Sequence, residues 1–239
     1  MARGDGDPGD WAERIVPVSQ ELTDETDIVL LGGRVSAASV LASYRRGMFP
    51  MVIEVEADGE GETVCAWYAP AERAVLRYPG MRVSRSLRRS LRRFDVTFDR
   101  DFEGVLAGCA DPSRSGAWIT QEYARTYREL AAAGYAHSVE VWHEGELVGG
   151  LLGVELGGLF CADSKFRTVT DASKVAVAAL SGLVFSAERA DQRVIDAQWL
   201  TDHLASLGFV GVDRRRYEAA LPSLLELPPV FPGAGRRTR

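Results

Sequence analysis

The sequence predicts an α+β protein with a small N-terminal α/β domain and a larger C-terminal domain. Three observations carry that expectation. The chain has 239 residues, 46% apolar and 26% charged, which suits a globular chain with a sizeable core and excludes general disorder, collagen-like repetition and a coiled coil. Beyond residue 95 a regular order of helix, helix, hairpin and strand, long helix, strand and helix can be read from apolar spacing. Before that, a shorter mixed stretch ends in a run dense in arginine.

Taken in order, residues 1–14 are rich in Gly and Asp and read as a frayed tail. From Val35 to Arg46, apolar residues recur at three- and four-residue spacing, a helix stopped by Gly47 and Pro50. Residues 54–62, EVEADGEGE, hold five acids and two glycines and predict a solvated loop. TVCAWYAP and AERAVLRYP then read as strands ended by Pro70 and Pro79, which closes a small unit over 15–80.

The larger unit is expected over 81–225. Ser84 caps a helix with Arg85, Arg88, Arg89, Arg92 and Arg93 on one face and Leu87, Leu91 and Phe94 opposite. DFEGVLAGCA and TQEYARTYRELAAAG read as helices, and HSVEVWHEG with ELVGGLLGVELGGLFCADS as strands, with a hairpin at Glu144-Gly145. Glycines 149–150 and 157–158 lie within strand patterns and imply close packing or a bulge. A long helix follows over 171–188, capped by Thr170 or Asp171. VIDAQWL is a short buried strand, DHLASLG a helix stopped by Gly208, and RRRYEAALPSLL a last helix. Residues 226–239 read as a loose tail.

Charge divides along the chain. The formal net charge of −6 argues against a general nucleic-acid binder. Yet Arg73 to Phe94 holds eight arginines and no acid, and the 20 basic residues elsewhere face all 34 acids, a net of −14. That segment is therefore either a solvated face or a phosphate-contacting one. Three scattered cysteines, without a CxxC pair, predict reduced thiols and neither a disulfide framework nor a zinc site. No secretory signal or membrane-length apolar run is present, so a cytoplasmic protein is expected, without cofactor or metal.

Familiar nucleophile and phosphate-loop motifs are absent, and His137, His143 and His203 have no ligand-like spacing. Two polar islands interrupt apolar strands instead: Asp163-Ser164, and Asp196 with Gln198 inside VIDAQWL. Alternation puts Asp196 and Gln198 on one side of a strand, where a buried carboxylate needs hydrogen bonds. They form either a structural network or a pair in which Asp196 orients Gln198 for work on an amine.

These residues sit in an ordered set of motifs: LLGG, YRRGMFP, WYAPAERAVL, SRSLRR, AWIT, AHSVEVW, LVGG, ADSKF, ASK, IDAQ and HLASLG, from Ile28 to Tyr217. In this combination the chain resembles the bacterial leucyl/phenylalanyl-tRNA–protein transferases. The resemblance implies a GNAT-like C-terminal domain. It also implies transfer of leucine or phenylalanine, with methionine a further donor, from aminoacyl-tRNA to the α-amine of proteins beginning with Arg or Lys, which marks them for N-degron proteolysis. KFRTVTDASK lacks the Gly-rich turn of a CoA pyrophosphate loop, in keeping with a tRNA ester as donor.

Carried onto this chain, the family pattern implies that Gln198 holds the amine, Asp196 polarises Gln198, and Asp163 contacts the amine or the basic acceptor side chain. Tyr68 and Trp118 would stack on the terminal adenosine or pack in the core, and Arg85, Arg88, Arg89, Arg92 and Arg93 would meet acceptor-stem phosphates. Leu152, Val154, Phe160, Lys165 and Ile195 would form the aminoacyl pocket. The expected protein is a monomer that meets no membrane. Where the family commonly has GESMF, IDCQ and WWSP, this chain has ADSKF, IDAQ and WYAP. Lys165 in place of Met puts a cation near the pocket. A GNAT-like transferase of altered donor or acceptor specificity, and an inactive tRNA-binding homologue, are therefore the competing readings.

Overall fold

The computed structural model describes residues 15–57, 60–114 and 116–231; the expected tail at 1–14 and residues 232–239 lie outside them. The fold is mixed α/β with two sheets, and chain contacts divide it into two units at Ala71/Glu72.

The first unit contains β1 (Val16–Pro17), α1 (Gln20–Thr26), β2 (Ile28–Leu31), α2 (Ala37–Tyr44), β3 (Phe49–Ala57) and β4 (Glu60–Tyr68). Its four strands are antiparallel in the order β1-β2-β4-β3. Ser36 caps α2 through Ser39, and Val40 and Tyr44 turn inward, as the spacing predicts. The acidic stretch is not a loop. Glu54 pairs with Thr63, Val55 with Glu62 and Glu56 with Gly61, so β3 and β4 continue as a ladder almost to the hairpin tip. Backbone pairing begun by the apolar residues 49–53 carries the acids along as strand residues.

The second unit contains β5 (Glu72–Arg77), α3 (Arg85–Ser90), β6 (Asp95–Phe98), α4 (Phe102–Ala110), α5 (Gln121–Ala132), β7 (Ala136–His143), β8 (Glu146–Leu156), β9 (Leu159–Arg167), α6 (Ala172–Ser186), β10 (Val194–Asp196), α7 (Asp202–Leu207), β11 (Val210–Asp213) and α8 (Arg214–Leu225). Its seven strands run β11-β5-β10-β9-β8-β7-β6, all antiparallel except β9 with β10. Strand β5, read in the sequence as part of the smaller unit, lies within this sheet because Glu72–Arg77 pairs on both edges, with β10 and β11.

Local signals placed most of these elements. Ser84, Thr120 and Thr201 cap their helices with side-chain oxygens, and Gly208 ends α7 at φ 105°. Glu144 and Gly145, at φ 52° and 85°, make the hairpin turn between β7 and β8. The glycines at 149 and 150 admit helices on both faces of β8. A Cβ on Gly149 would lie 2.6 Å from that of Ala172 in α6, and one on Gly150 2.8 Å from Val105 in α4.

The C-terminal segment departs from its reading as loose over residues 226–231. Leu227 and Phe231 are buried, Phe231 stacks on His137 and Phe160, and the Glu155 carboxylate accepts the N–H groups of Val230 (2.7 Å) and Phe231 (3.1 Å). A carboxylate paired with two backbone donors fixes a segment that its Pro and Gly content marks as irregular. Among the described residues no helix is long and apolar enough to cross a membrane.

Candidate active site

Strands β9 and β10 run in parallel for only three residue pairs, 159–161 against 194–196, and then part. The carboxyl end of a parallel pair is where open sheets leave room for a ligand. Asp163 lies just beyond the parting on β9, and Gln198 just beyond it on the segment that follows β10.

The buried anchor is Asp196. Its carboxylate accepts Arg73 Nε at 2.9 Å on each oxygen and Arg73 Nη2 at 2.7 Å, and the Tyr217 hydroxyl at 2.7 Å. Arg73 and Asp196 are 1% and 0% exposed, and the guanidinium also sits 4.8 Å from the Tyr217 ring centroid. Burial alone would lower the Arg73 pKa; the Asp196 charge, Tyr217 and the hydrogen bonds outweigh it and raise the value. Burial first, then Asp196, pushes the Tyr217 hydroxyl up, so it stays a donor.

The expected alternation of Asp196 and Gln198 along one strand does not occur. β10 ends at Asp196, whose Oδ1 accepts the Gln198 backbone N–H at 2.8 Å, while Gln198 takes φ 62°. A short carboxylate at a strand end captures the amide two residues on and turns the chain. The Gln198 carbonyl accepts the Ala74 N–H at 3.0 Å, which holds the turn from β5. Asp196 therefore orients Gln198 through its backbone rather than polarising its side-chain amide.

That amide reaches across to β9. Gln198 Nε2 donates to Asp163 Oδ1 at 3.0 Å, and the Tyr127 hydroxyl from α5 donates to Asp163 Oδ2 at 2.8 Å. An ionised carboxylate can only accept, so the pairing turns Gln198 Oε1 away from Asp163 as a second acceptor. Burial, and then the Asp163 charge, raises the Tyr127 hydroxyl well above its ordinary value and keeps it protonated. Asp163 is half-buried and Gln198 is 9% exposed. Two oxygens held this way can accept N–H bonds from an incoming amine and direct its lone pair.

Beside this pair lies a narrow slot with about 10 Å³ open, flanked by Leu151, Val177, Leu180, Ile195, Leu204 and Phe209. Its walls include Ala162, Ser164 and Ala197, the chain neighbours of Asp163 and Gln198. Of the five residues expected to line an apolar pocket, Ile195 and Lys165 do. Leu152, Val154 and Phe160 do not: each is at most 1% exposed, and Phe160 is occupied by Phe231. Successive strand residues face opposite ways, so Leu151 rather than Leu152 turns toward α6. Burial, and then Arg114, lowers the Lys165 pKa.

Residues that sequence reasoning missed include Arg73, Tyr127 and Tyr217. Arg73 carried a usable signal, as a charge inside an apolar strand, yet its partner is 123 residues away. Tyr127 follows Tyr123 by one helical turn, and Trp118 packs edge-on against Tyr123 at 4.7 Å between centroids, which lines up Trp118, Tyr123, Tyr127 and Asp163.

The arginine-bearing face forms as expected over its first turn and a half. Arg85, Arg88, Arg89, Arg92 and Arg93 are exposed, with Leu87 and Phe94 buried; α3 stops at Ser90 and a 3₁₀ turn carries residues 91–93. In the first unit, Tyr68 is half-buried and stacks on Phe49 at 5.7 Å. The three cysteines are buried and in no disulfide, and among the described residues no group of three His, Cys, Asp or Glu could hold a metal. His137 bridges Asp99 at 2.7 Å, a core hydrogen-bonding role.

Residues 75–222 match the family described as leucyl/phenylalanyl-tRNA protein transferase. Two curated relatives named leucyl/phenylalanyl-tRNA–protein transferase are each 42% identical. That of Azoarcus sp. (strain BH72) aligns over 89% of this chain and 88% of its own, and that of Aromatoleum aromaticum over 92% and 89%. A third of that name, from Edwardsiella ictaluri, is 40% identical over 83% and 78%.

Proposed function

This chain belongs to the leucyl/phenylalanyl-tRNA–protein transferase family, and from that premise we propose that it moves leucine or phenylalanine from aminoacyl-tRNA to the α-amine of proteins beginning with Arg or Lys. The observation that carries the reading is the hydrogen-bonded pair Gln198–Asp163, whose chain neighbours Ala162, Ser164 and Ala197 line an apolar slot. The ester of the donor is already activated, so no covalent enzyme intermediate is needed. The amine nitrogen attacks the ester carbonyl, the carbon–oxygen bond to the ribose breaks, and the proton lost by the amine ends on the ribose oxygen. Gln198 Oε1 and the Asp163 carboxylate hold the uncharged amine for that attack, worth several orders of magnitude in rate when geometry is fixed.

The slot takes the aminoacyl side chain and widens to do so, with Lys165 as its movable polar wall. Trp118, and in the first unit Tyr68, are the proposed stacking surfaces for unpaired bases. The exposed arginines from Arg85 to Arg93 are proposed phosphate contacts, and the half-buried Asp163 favours an acceptor with a basic first residue. The antiparallel sheet with one parallel pair bridged by α6 supports a GNAT-like reading of the larger unit. Action as a cytoplasmic monomer that marks proteins for N-degron proteolysis completes the proposal.

The test incubates the protein with labelled Leu-, Phe- and Met-tRNA and peptides beginning with Arg, Lys, Asp or Ala, and follows label into peptide. Transfer of Leu or Phe to the Arg and Lys peptides is expected. No transfer from any charged tRNA would overturn the reading. Lys165 in the slot wall favours one variation, a donor preference that differs from the family name, which the same panel detects as a changed order among donors.

A further inference from the structure

A concavity of about 690 Å³ shares Lys165 with the apolar slot. Four cations, Arg114, Lys165, Arg167 and Lys174, converge on it with one carboxylate, Asp171, on a chain whose net charge is −6. Asp171 is already engaged by Lys174 Nζ and the Ser90 hydroxyl, both at 2.8 Å. Arg114 spends its Nη donors on neutral acceptors: the carbonyls of Lys165 and Cys109 and the Ser164 hydroxyl. Among the described residues, Arg114, Lys165 and Arg167 have no carboxylate within ion-pair distance. Their mutual repulsion is felt by His203 on the rim, whose pKa is lowered by burial and then by Lys165, Lys174 and Arg167.

Such a set of converging cations is satisfied by an anion with several oxygens, and two connections specify which. The Ser90–Asp171 hydrogen bond joins the pocket rim to α3, so the exposed Arg85, Arg88 and Arg89 lead toward it. Lys165 borders both the pocket and the slot, so the anion bound here lies one lysine side chain from the aminoacyl group. We propose that this pocket binds the phosphodiester backbone of the nucleotides next to the aminoacylated end of the donor, with Arg167 and Lys165 as its principal contacts. The assignment rests on the aminoacyl-tRNA donor proposed above.

The test compares the full chain with Arg167→Gln, at an exposed position, and with Arg167→Lys. The probes are a fluorescent CpCpA trinucleotide carrying amide-linked leucine, leucyl-adenosine without phosphate, and inorganic phosphate. Arg167→Gln is expected to weaken trinucleotide binding about tenfold and to lower its salt slope by about 0.7. The change for leucyl-adenosine is expected to be far smaller, and Arg167→Lys to restore much of the loss. Equal losses on both nucleoside probes, or no loss on the trinucleotide, would overturn the assignment. Inorganic phosphate that competes at the trinucleotide's own affinity would do so too, since the site would then be one for free anions. Failure of the two readings is separable. Arg167-dependent trinucleotide binding without peptide transfer supports the pocket and removes the reaction, whereas transfer with Arg167-independent binding removes the pocket alone.

Discussion

Asp196 ends β10 and Asp163 lies on β9 two residues past the last parallel pair, and their surroundings differ in kind. Asp196 is sealed off and answers to a guanidinium, a phenol and a backbone amide. Asp163 is half-exposed, and the Tyr127 hydroxyl and the Gln198 carboxamide donate to it. The difference teaches that a carboxylate flagged by sequence context can belong to the frame rather than to the chemistry. Asp196 builds the turn; Asp163 and Gln198 are the pair proposed to meet the acceptor amine.

The largest expected effect breaks the frame. Asp196→Ala takes a buried carboxylate partner from the buried Arg73 and should destabilise the protein by about 3–5 kcal/mol, read as a lowered midpoint in urea unfolding. An unchanged midpoint together with lost turnover would reverse the roles given to the two carboxylates.

Next comes the exposed side of the comparison. Asp163→Asn and Gln198→Ala should each lower kcat by about 10²-fold, with stability changed by about 1 kcal/mol or less. Single-turnover transfer and unfolding measured on the same samples separate the two. A loss confined to the KM for peptide would place both residues in acceptor binding alone.

The smallest effect concerns Lys165, two residues from Asp163. Its pKa in the folded chain lies below the ordinary value of 10.5, so the unfolded chain binds the proton more readily. Stability therefore rises with pH through the window from the folded pKa up to 10.5, and at neutral pH the charge is a burden. Lys165→Met should raise the melting temperature at pH 7 by about 2–4 °C and flatten the rise of stability toward pH 10. An unchanged slope would show that the ammonium is fully solvated.

How much of this was legible depends on whether the signal was local. The Ser84 cap, the Gly208 stop and the Glu144-Gly145 turn are contained in a few neighbouring residues, and they were read correctly. Polar residues inside VIDAQWL signalled a buried hydrogen-bonded network, because burying them demands partners. The partners were not legible, since Arg73 and Tyr217 are brought to Asp196 only by strand order in the sheet. Which strand face lines the slot was not legible for a related reason: a one-residue shift moves a strand side chain to the opposite face, and Leu151 rather than Leu152 borders it. The 54–62 stretch failed because strand pairing overrides the polarity of the residues paired.

The joining of Arg73, Asp196 and Tyr217 also sets an order of assembly. Tyr217 is the last of the three to be synthesised, so a growing chain holds Asp163 and Gln198 before it can complete the support beneath them. Translation that stops upstream of residue 217 yields a product with every residue proposed for the reaction, but with a buried Arg73–Asp196 pair that lacks the Tyr217 hydroxyl and ring. The last helix thus completes the support beneath the proposed site.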